Sequence, residues 1–156
     1  MNIRDKATSQ APYLLSVLRI VLALLFIEHG SMKLFDFPPA GQVPHLNLFS
    51  LGGLAAVMEF FGGLLLLAGL FTRVTAFLLS GEMAAAYLIA HASRSFFPAL
   101  NMGEAAVIYC FLFLYLAAAG GGVWSLDRVF RVPRAGDHHY PPDQATSRQL
   151  GRAIPS

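Results

Sequence analysis

Glutamate is the residue whose placement in this chain asks for chemistry. All four glutamates, Glu28, Glu59, Glu82 and Glu104, fall inside apolar stretches, and none lies in the polar ends. A carboxylate near the middle of a bilayer costs at least a few kcal/mol, so each position needs a reason. Lys33, His29, His91, Arg94 and Asn101 accompany them. Three kinds of chemistry fit these residue types. They can pair as Glu–Lys, Glu–Arg and Glu–His bridges that fix a bundle. They can line a cofactor pocket, where His or Glu hydrogen-bonds a quinone carbonyl and exchanges its protons. By composition they also match a carboxylate-bridged metal centre between helices. The Glu-x-x-His spacing of such centres is absent, because Glu28 and His29 are adjacent and no other pair fits. No metal site is expected.

The elements that must position these residues follow from hydropathy. Hydrophobic residues make up 56% of the 156, and charged residues only 13%. A soluble domain carries about 25% charged residues, and the deficit is too large for a water-facing surface. Four apolar stretches, at roughly 13–34, 50–70, 74–93 and 102–121, are each long enough for a ~30 Å hydrocarbon core. Backbone groups in lipid must be satisfied within the segment or by a closed barrel. Period-two alternation is missing, so the expected fold is all-α: an integral membrane four-helix bundle over residues 13–128. Residues 1–12 form an N-terminal segment, and residues 129–156 a polar tail expected to be disordered. Arg4 and Lys6 precede the first stretch, but no small-x-small cleavage site follows it, so it reads as a retained helix rather than a leader.

Charge sets the orientation. Arg4, Lys6, Arg73 and five tail arginines share one side of a four-span chain, while the other side has only Lys33 and Arg94. That asymmetry places both termini in the cytoplasm. The tail arginines lack interleaved aromatics and follow a span, so they mark a cytoplasmic tail rather than a nucleic-acid contact. His138 and His139 in that tail read as solvated.

With this topology the polar residues converge on the outer half of the bundle. Glu28, His29 and Lys33 lie in the outer third of the first span, and Glu59 and Glu82 near mid-depth. His91, Arg94, Asn101 and Glu104 lie further out. Ala55, Glu59, Gly62 and Gly69 recur at helical spacing, and small residues mark helix–helix contact in membranes. Glu59 is therefore expected on a packed face. His91 stands half a turn round from Glu82 by the 3.6-residue period, so the two are not expected to face one centre. At the inner side, Arg19 is expected to snorkel toward the cytoplasmic surface, with Asp127 as a partner for Arg19 or Arg73. Cys110 is the only cysteine, so no dithiol chemistry is available to the chain alone.

Several motifs in order resemble the DoxX family of small four-helix bacterial membrane proteins. They are Leu18-Arg19, His29-Gly30-x-x-Lys33-Leu34, Glu59-Phe60-Phe61-Gly62-Gly63 and Gly69-Leu70-Phe71-Thr72-Arg73. Phe96-Phe97-Pro98, Asn101-x-Gly103-Glu104 and Trp124-Ser125-Leu126-Asp127 complete the set, which covers roughly residues 14–128. The resemblance implies a multi-pass protein of the bacterial inner membrane with a redox association. Some relatives are subunits of quinone-reducing oxidoreductases, including ones acting on thiosulfate, and others belong to thiol and oxidative-stress systems.

The expected function is a membrane subunit of a quinone-coupled oxidoreductase or related redox system. Its pocket would draw on His29, Lys33, Glu59, Glu82, His91, Asn101 and Glu104, with a quinone as the cofactor. Its partners would be the bilayer, other membrane or redox subunits, or further copies of the chain. The alternatives are a scaffold subunit without chemistry and a pathway for protons or a small solute.

Overall fold

The computed structural model describes residues 3–39 and 47–130; the polar tail with His138 and His139, and part of the segment between the first two spans, lie outside them. Four apolar helices form the body: α1 (Ile3–Phe35), α2 (Leu51–Ala68), α3 (Thr72–Ala86) and, after a short turn of helix α4 (Pro98–Asn101), α5 (Glu104–Ala119). A π-helical turn, Tyr87–His91, extends α3, and a last short helix α6 (Leu126–Val129) follows α5. No strand occurs among the described residues.

Thr8–Phe35, Leu51–Ala68 and Thr72–His91 are long and apolar enough to cross a membrane, by length and composition. The fourth helix is apolar but has 16 residues, about 24 Å at 1.5 Å per residue. It is shorter than the expected 102–121 because Met102 takes a left-handed backbone (φ 60) before it and Gly120 (φ 91) ends it. At the other end of the chain, α1 reaches back to Ile3, well before the apolar run begins. Polar residues there carry no hydropathy signal, yet nothing in their chemistry stops the helix.

The helix ends show why the chain turns where it does. Ser50 caps α2, its Oγ accepting from Gly53 N at 3.1 Å. Gly69 (φ 68) closes α2 in the left-handed conformation and returns its N–H to the last turn, a common use of glycine. Two residues later Phe71 also takes positive φ (50), which costs a residue with a Cβ about 1–2 kcal/mol. Asp127 holds that turn: its carboxylate oxygens accept from Phe71 N and Thr72 N, both at 2.7 Å.

Helix α1 packs chiefly on α2, and α3 on α5. The first pair approaches closely at Gly30, where an added Cβ would stand 2.5 Å from Phe60 N. Small residues bring helices together in lipid in this way. Leu22, Phe26, Leu66, Leu79, Phe113 and Leu116 fill the centre, with Phe26 edge-on to Phe113 at 4.5 Å between ring centres. Outside this core the spans present Leu, Val, Ile and Phe, a surface suited to lipid and not to water.

The start of α1, the α2–α3 turn and the segment after α5 meet at one end of the bundle. Trp124 N donates to Ser16 Oγ at 3.1 Å, and Asp127 N to Gly69 O at 2.9 Å. Both ends of the described chain therefore lie at the same end of the bundle, as an even number of spans requires.

Candidate functional site

Glu59 lies on the inward face of α2 with Ala56, Gly62, Gly63 and Leu66. Lys33 comes from α1 one turn beyond the close approach at Gly30, which brings its long side chain within reach. Lys33 Nζ stands 2.6 Å from Glu59 Oε1, with the lysine side chain 39% exposed and the glutamate 5%. Glu82, on α3, lies within electrostatic range of both. Glu59 Oε2 and both carboxyl oxygens of Glu82 are buried and have no hydrogen-bond partner among the described residues. Among the described residues the Lys33 ammonium bonds Glu59 alone, and the Glu82 carboxyl has no donor. Buried polar atoms are nearly always hydrogen-bonded, so the absence points to something that completes the set.

Glu82 also lines a groove between α2 and α3, with its carboxyl oxygens buried behind the groove wall. Its cavity is about 520 Å³, walled by Leu54, Ala55 and Met58 on one side and by Gly81, Ala86 and Ile89 on the other. Nothing lies within 4 Å of a Cβ added at Gly81, so the missing side chain leaves the space beside Glu82 open. Leu54 and Ile89 are exposed at the mouth, which gives access from the lipid. Glu82 is the one ionisable residue in this wall. An apolar cleft with a single polar group and a volume of about 300–1,000 Å³ has the character of a small-molecule site.

The other candidate residues fall elsewhere. His91 and Asn101 belong to a separate network at the end of α3. Asn101, 1% exposed, donates Nδ2 to Ser95 O at 2.7 Å and accepts from Gly103 N at 2.7 Å. His91 Nδ1 bonds Asn101 O at 3.0 Å, and Tyr87 donates its hydroxyl to Phe96 O at 2.6 Å. These bonds build the turn into α5 and leave Asn101 nothing for a ligand. The π-helical turn also changes the phase of the helix here, so His91 is not placed by the 3.6-residue period alone. His29 and Glu104 are exposed. His29 Nδ1 donates to Leu25 O at 2.9 Å, and its ring stands 6.4 Å from that of Tyr109. Of the residues singled out from the sequence, Lys33, Glu59 and Glu82 come together. Hydropathy did not reveal the groove, although Gly81 beside Glu82 was a signal available for it. Among the described residues no three His, Cys, Asp or Glu side chains gather as metal ligands would.

At the opposite end Arg19 does not snorkel. It is fully buried, and its guanidinium donates to Gly121 O at 2.9 Å, Leu67 O at 2.8 Å, Trp124 O at 2.7 Å and Leu66 O. Leu66 and Leu67 are among the last carbonyls of α2; Gly69 N reaches Leu66 O at 3.0 Å, and Arg19 serves both. A buried planar fork that meets them and the crossing segment is better placed than one at the surface. Asp127 does not pair directly with it. Burial pushes the Asp127 carboxyl up, but hydrogen bonds from Thr72 and Phe71, with the nearby Arg19 charge, outweigh burial and hold its pKa below the usual value. Arg73 donates to Ala117 O at 3.0 Å and to Ala118 O, at the end of α5. This end is therefore a set of helix caps.

Fold and site together define a helical membrane protein with a buried acid–base cluster beside a lipid-facing groove. The DoxX family model matches residues 14–92, and the chain belongs to the DoxX family. It is also similar to an uncharacterized protein of Haemophilus influenzae, with 44% identity over 127 residues that take in 76% of this chain and 92% of the relative. No solved structure matches the chain.

Proposed function

We propose that the chain is a membrane subunit of a quinone-coupled redox system in the bacterial inner membrane, and that it holds the quinone ring in the groove between α2 and α3. The observation that carries this reading is the Glu82 carboxyl, buried without a hydrogen-bond partner at the wall of an apolar cleft open to lipid. A bound quinone would supply two-electron, two-proton redox chemistry. Glu82 would turn its carboxyl from behind the groove wall to the ring carbonyl and hold or pass a proton at a carboxyl oxygen. Glu59, within electrostatic range of Glu82, carries the next carboxyl, and Lys33 connects Glu59 to the exposed surface. Leu54, Met58 and Ile89 would cover the ring and exclude water. The basic end of the bundle faces the cytoplasm in this reading, so Lys33 opens to the outer side.

The rival reading is a scaffold subunit, favoured by the Lys33–Glu59 bridge, which ties α1 to α2. Quinone content after purification in native lipid separates the two. The quinone reading expects near-stoichiometric quinone in the wild type. In Glu82→Leu it expects about tenfold less, the effect of losing one hydrogen bond from the carboxyl O–H to the quinone carbonyl, with an unchanged melting temperature. Wild-type protein without quinone, or equal quinone in the variant, would sink this placement.

A further inference from the structure

Glu28 and His29 are not absorbed by the site. Both are exposed on α1, and Glu28 precedes the helix end at Phe35 by seven residues, about 10 Å along the axis. Lys33, the cation a turn further on, is engaged by Glu59. The Glu28 carboxyl makes no hydrogen bond or ion pair among the described residues. Its neighbour is differently poised. Leu25 O can only accept, so His29 Nδ1 carries the proton in their bond, and Nε2 is the nitrogen left for an outside partner. An acid and a base thus stand side by side, facing outward at nearly one depth of the span.

We infer that this face of α1 is the contact with a second copy of the chain, closed by reciprocal Glu28–His29 pairs. A two-fold axis along the membrane normal brings residues of equal depth together, and residue i then meets j while j meets i. Adjacent residues of opposite character are self-complementary under that operation; an acidic pair or a basic pair is not. The helix surface between this point and the basic end fits the same contact. Leu14, Val21 and Leu25 are exposed and line the strip of α1 that runs between Glu28 and His29, so each helix sets its glutamate on one flank of the contact and its histidine on the other. Lipid could cover these apolar side chains equally well, but it offers nothing to the carboxylate and the imidazole, whose exposure there is costly.

The test is disulfide crosslinking of full-length protein in its membrane, in a Cys110→Ser background. Val21→Cys, on the strip between Glu28 and His29, should give a crosslinked dimer, and Leu78→Cys, exposed on α3, should not. Glu28→His alone and His29→Glu alone should each lower the dimeric fraction about tenfold, the scale of interhelical polar contacts in membranes. The double swap E28H/H29E should restore it, since the reciprocal pairs reform. Each variant is checked for an unchanged melting temperature. The inference is overturned if Val21→Cys yields only monomer, crosslinks only to other polypeptides, or dimerises no better than Leu78→Cys. Failure of the double swap to restore the dimer overturns the pairing. Quinone content plays no part in these outcomes, so the groove proposal stands or falls separately.

Discussion

Lys33 Nζ and Glu59 Oε1 are 2.6 Å apart, and they join a partly exposed ammonium to a carboxylate that is 5% exposed. The asymmetry in burial predicts an asymmetry under mutation. Lys33→Met leaves Glu59 buried without a cation. Glu59→Gln leaves a lysine that can turn toward water. Removing one partner of a fully buried pair costs about 3–5 kcal/mol, and partial exposure of Lys33 reduces this to about 2 kcal/mol. Melting in detergent should place Lys33→Met well below Glu59→Gln, with the double variant recovering much of the loss. Equal melting of the two single variants would mean the pair is not buried as described.

Arg19 predicts a larger effect. Replacing it with Met leaves Leu67 O, Gly121 O and Trp124 O without the guanidinium donor in a dry interior. Each unsatisfied group costs about 1–3 kcal/mol, so Arg19→Met should fail to accumulate as folded protein. Arg19→Lys keeps the charge but lacks the planar fork and should also melt lower. Proteolysis of membranes at graded temperature would read both. Wild-type resistance in Arg19→Lys would show that charge alone suffices.

Two glycines make opposite predictions. Gly30→Ala drives a Cβ against the backbone of Phe60 and should separate α1 from α2, lowering stability by about 1–3 kcal/mol and weakening the Lys33–Glu59 pair. Gly81→Ala meets nothing and should be neutral or stabilising by up to about 1 kcal/mol. Gly81→Phe should fill the groove instead, keeping the fold while bound quinone is lost. Thermal melting with quinone extraction separates the three.

The Asp127 carboxyl predicts an acid limb. Its folded pKa lies below the ordinary value of 3.8, so its contribution is complete above that value and is lost as pH falls through the lower folded value. Relative to Asp127→Asn, wild type should melt higher, by about 1 kcal/mol of cap stability, with a gap that is flat above about pH 5. The gap should close only below 3.8. A gap that closes near neutrality would point to another group.

Orientation is checked by labelling. In a Cys110→Ser background, Phe49→Cys and Phe130→Cys, both exposed, lie at opposite ends of the bundle. Impermeant thiol reagent should reach the first in intact spheroplasts and the second only after permeabilisation. The reverse pattern would invert the proposed topology and carry the outer opening of Lys33 with it.

Hydropathy alone determined the number, order and approximate limits of the apolar helices, because a span must be apolar over a fixed length whatever it packs against. It also singled out Glu59, whose face is marked by small residues at helical spacing. What it left open depends on distance between helices. Arg19 looks like a surface-seeking cation until the chain after Gly120 crosses beneath it and supplies carbonyls from residues 121 and 124. His91 and Asn101 carry the same polar signature as Glu82, yet the turn into α5 engages them, while the Glu82 carboxyl is buried beside a groove with no partner among the described residues. Period and composition place a residue on a helix face, and on that measure these polar residues look alike. Only the packing of one helix against the next decides which polar atoms are satisfied and which are left for a ligand or a partner.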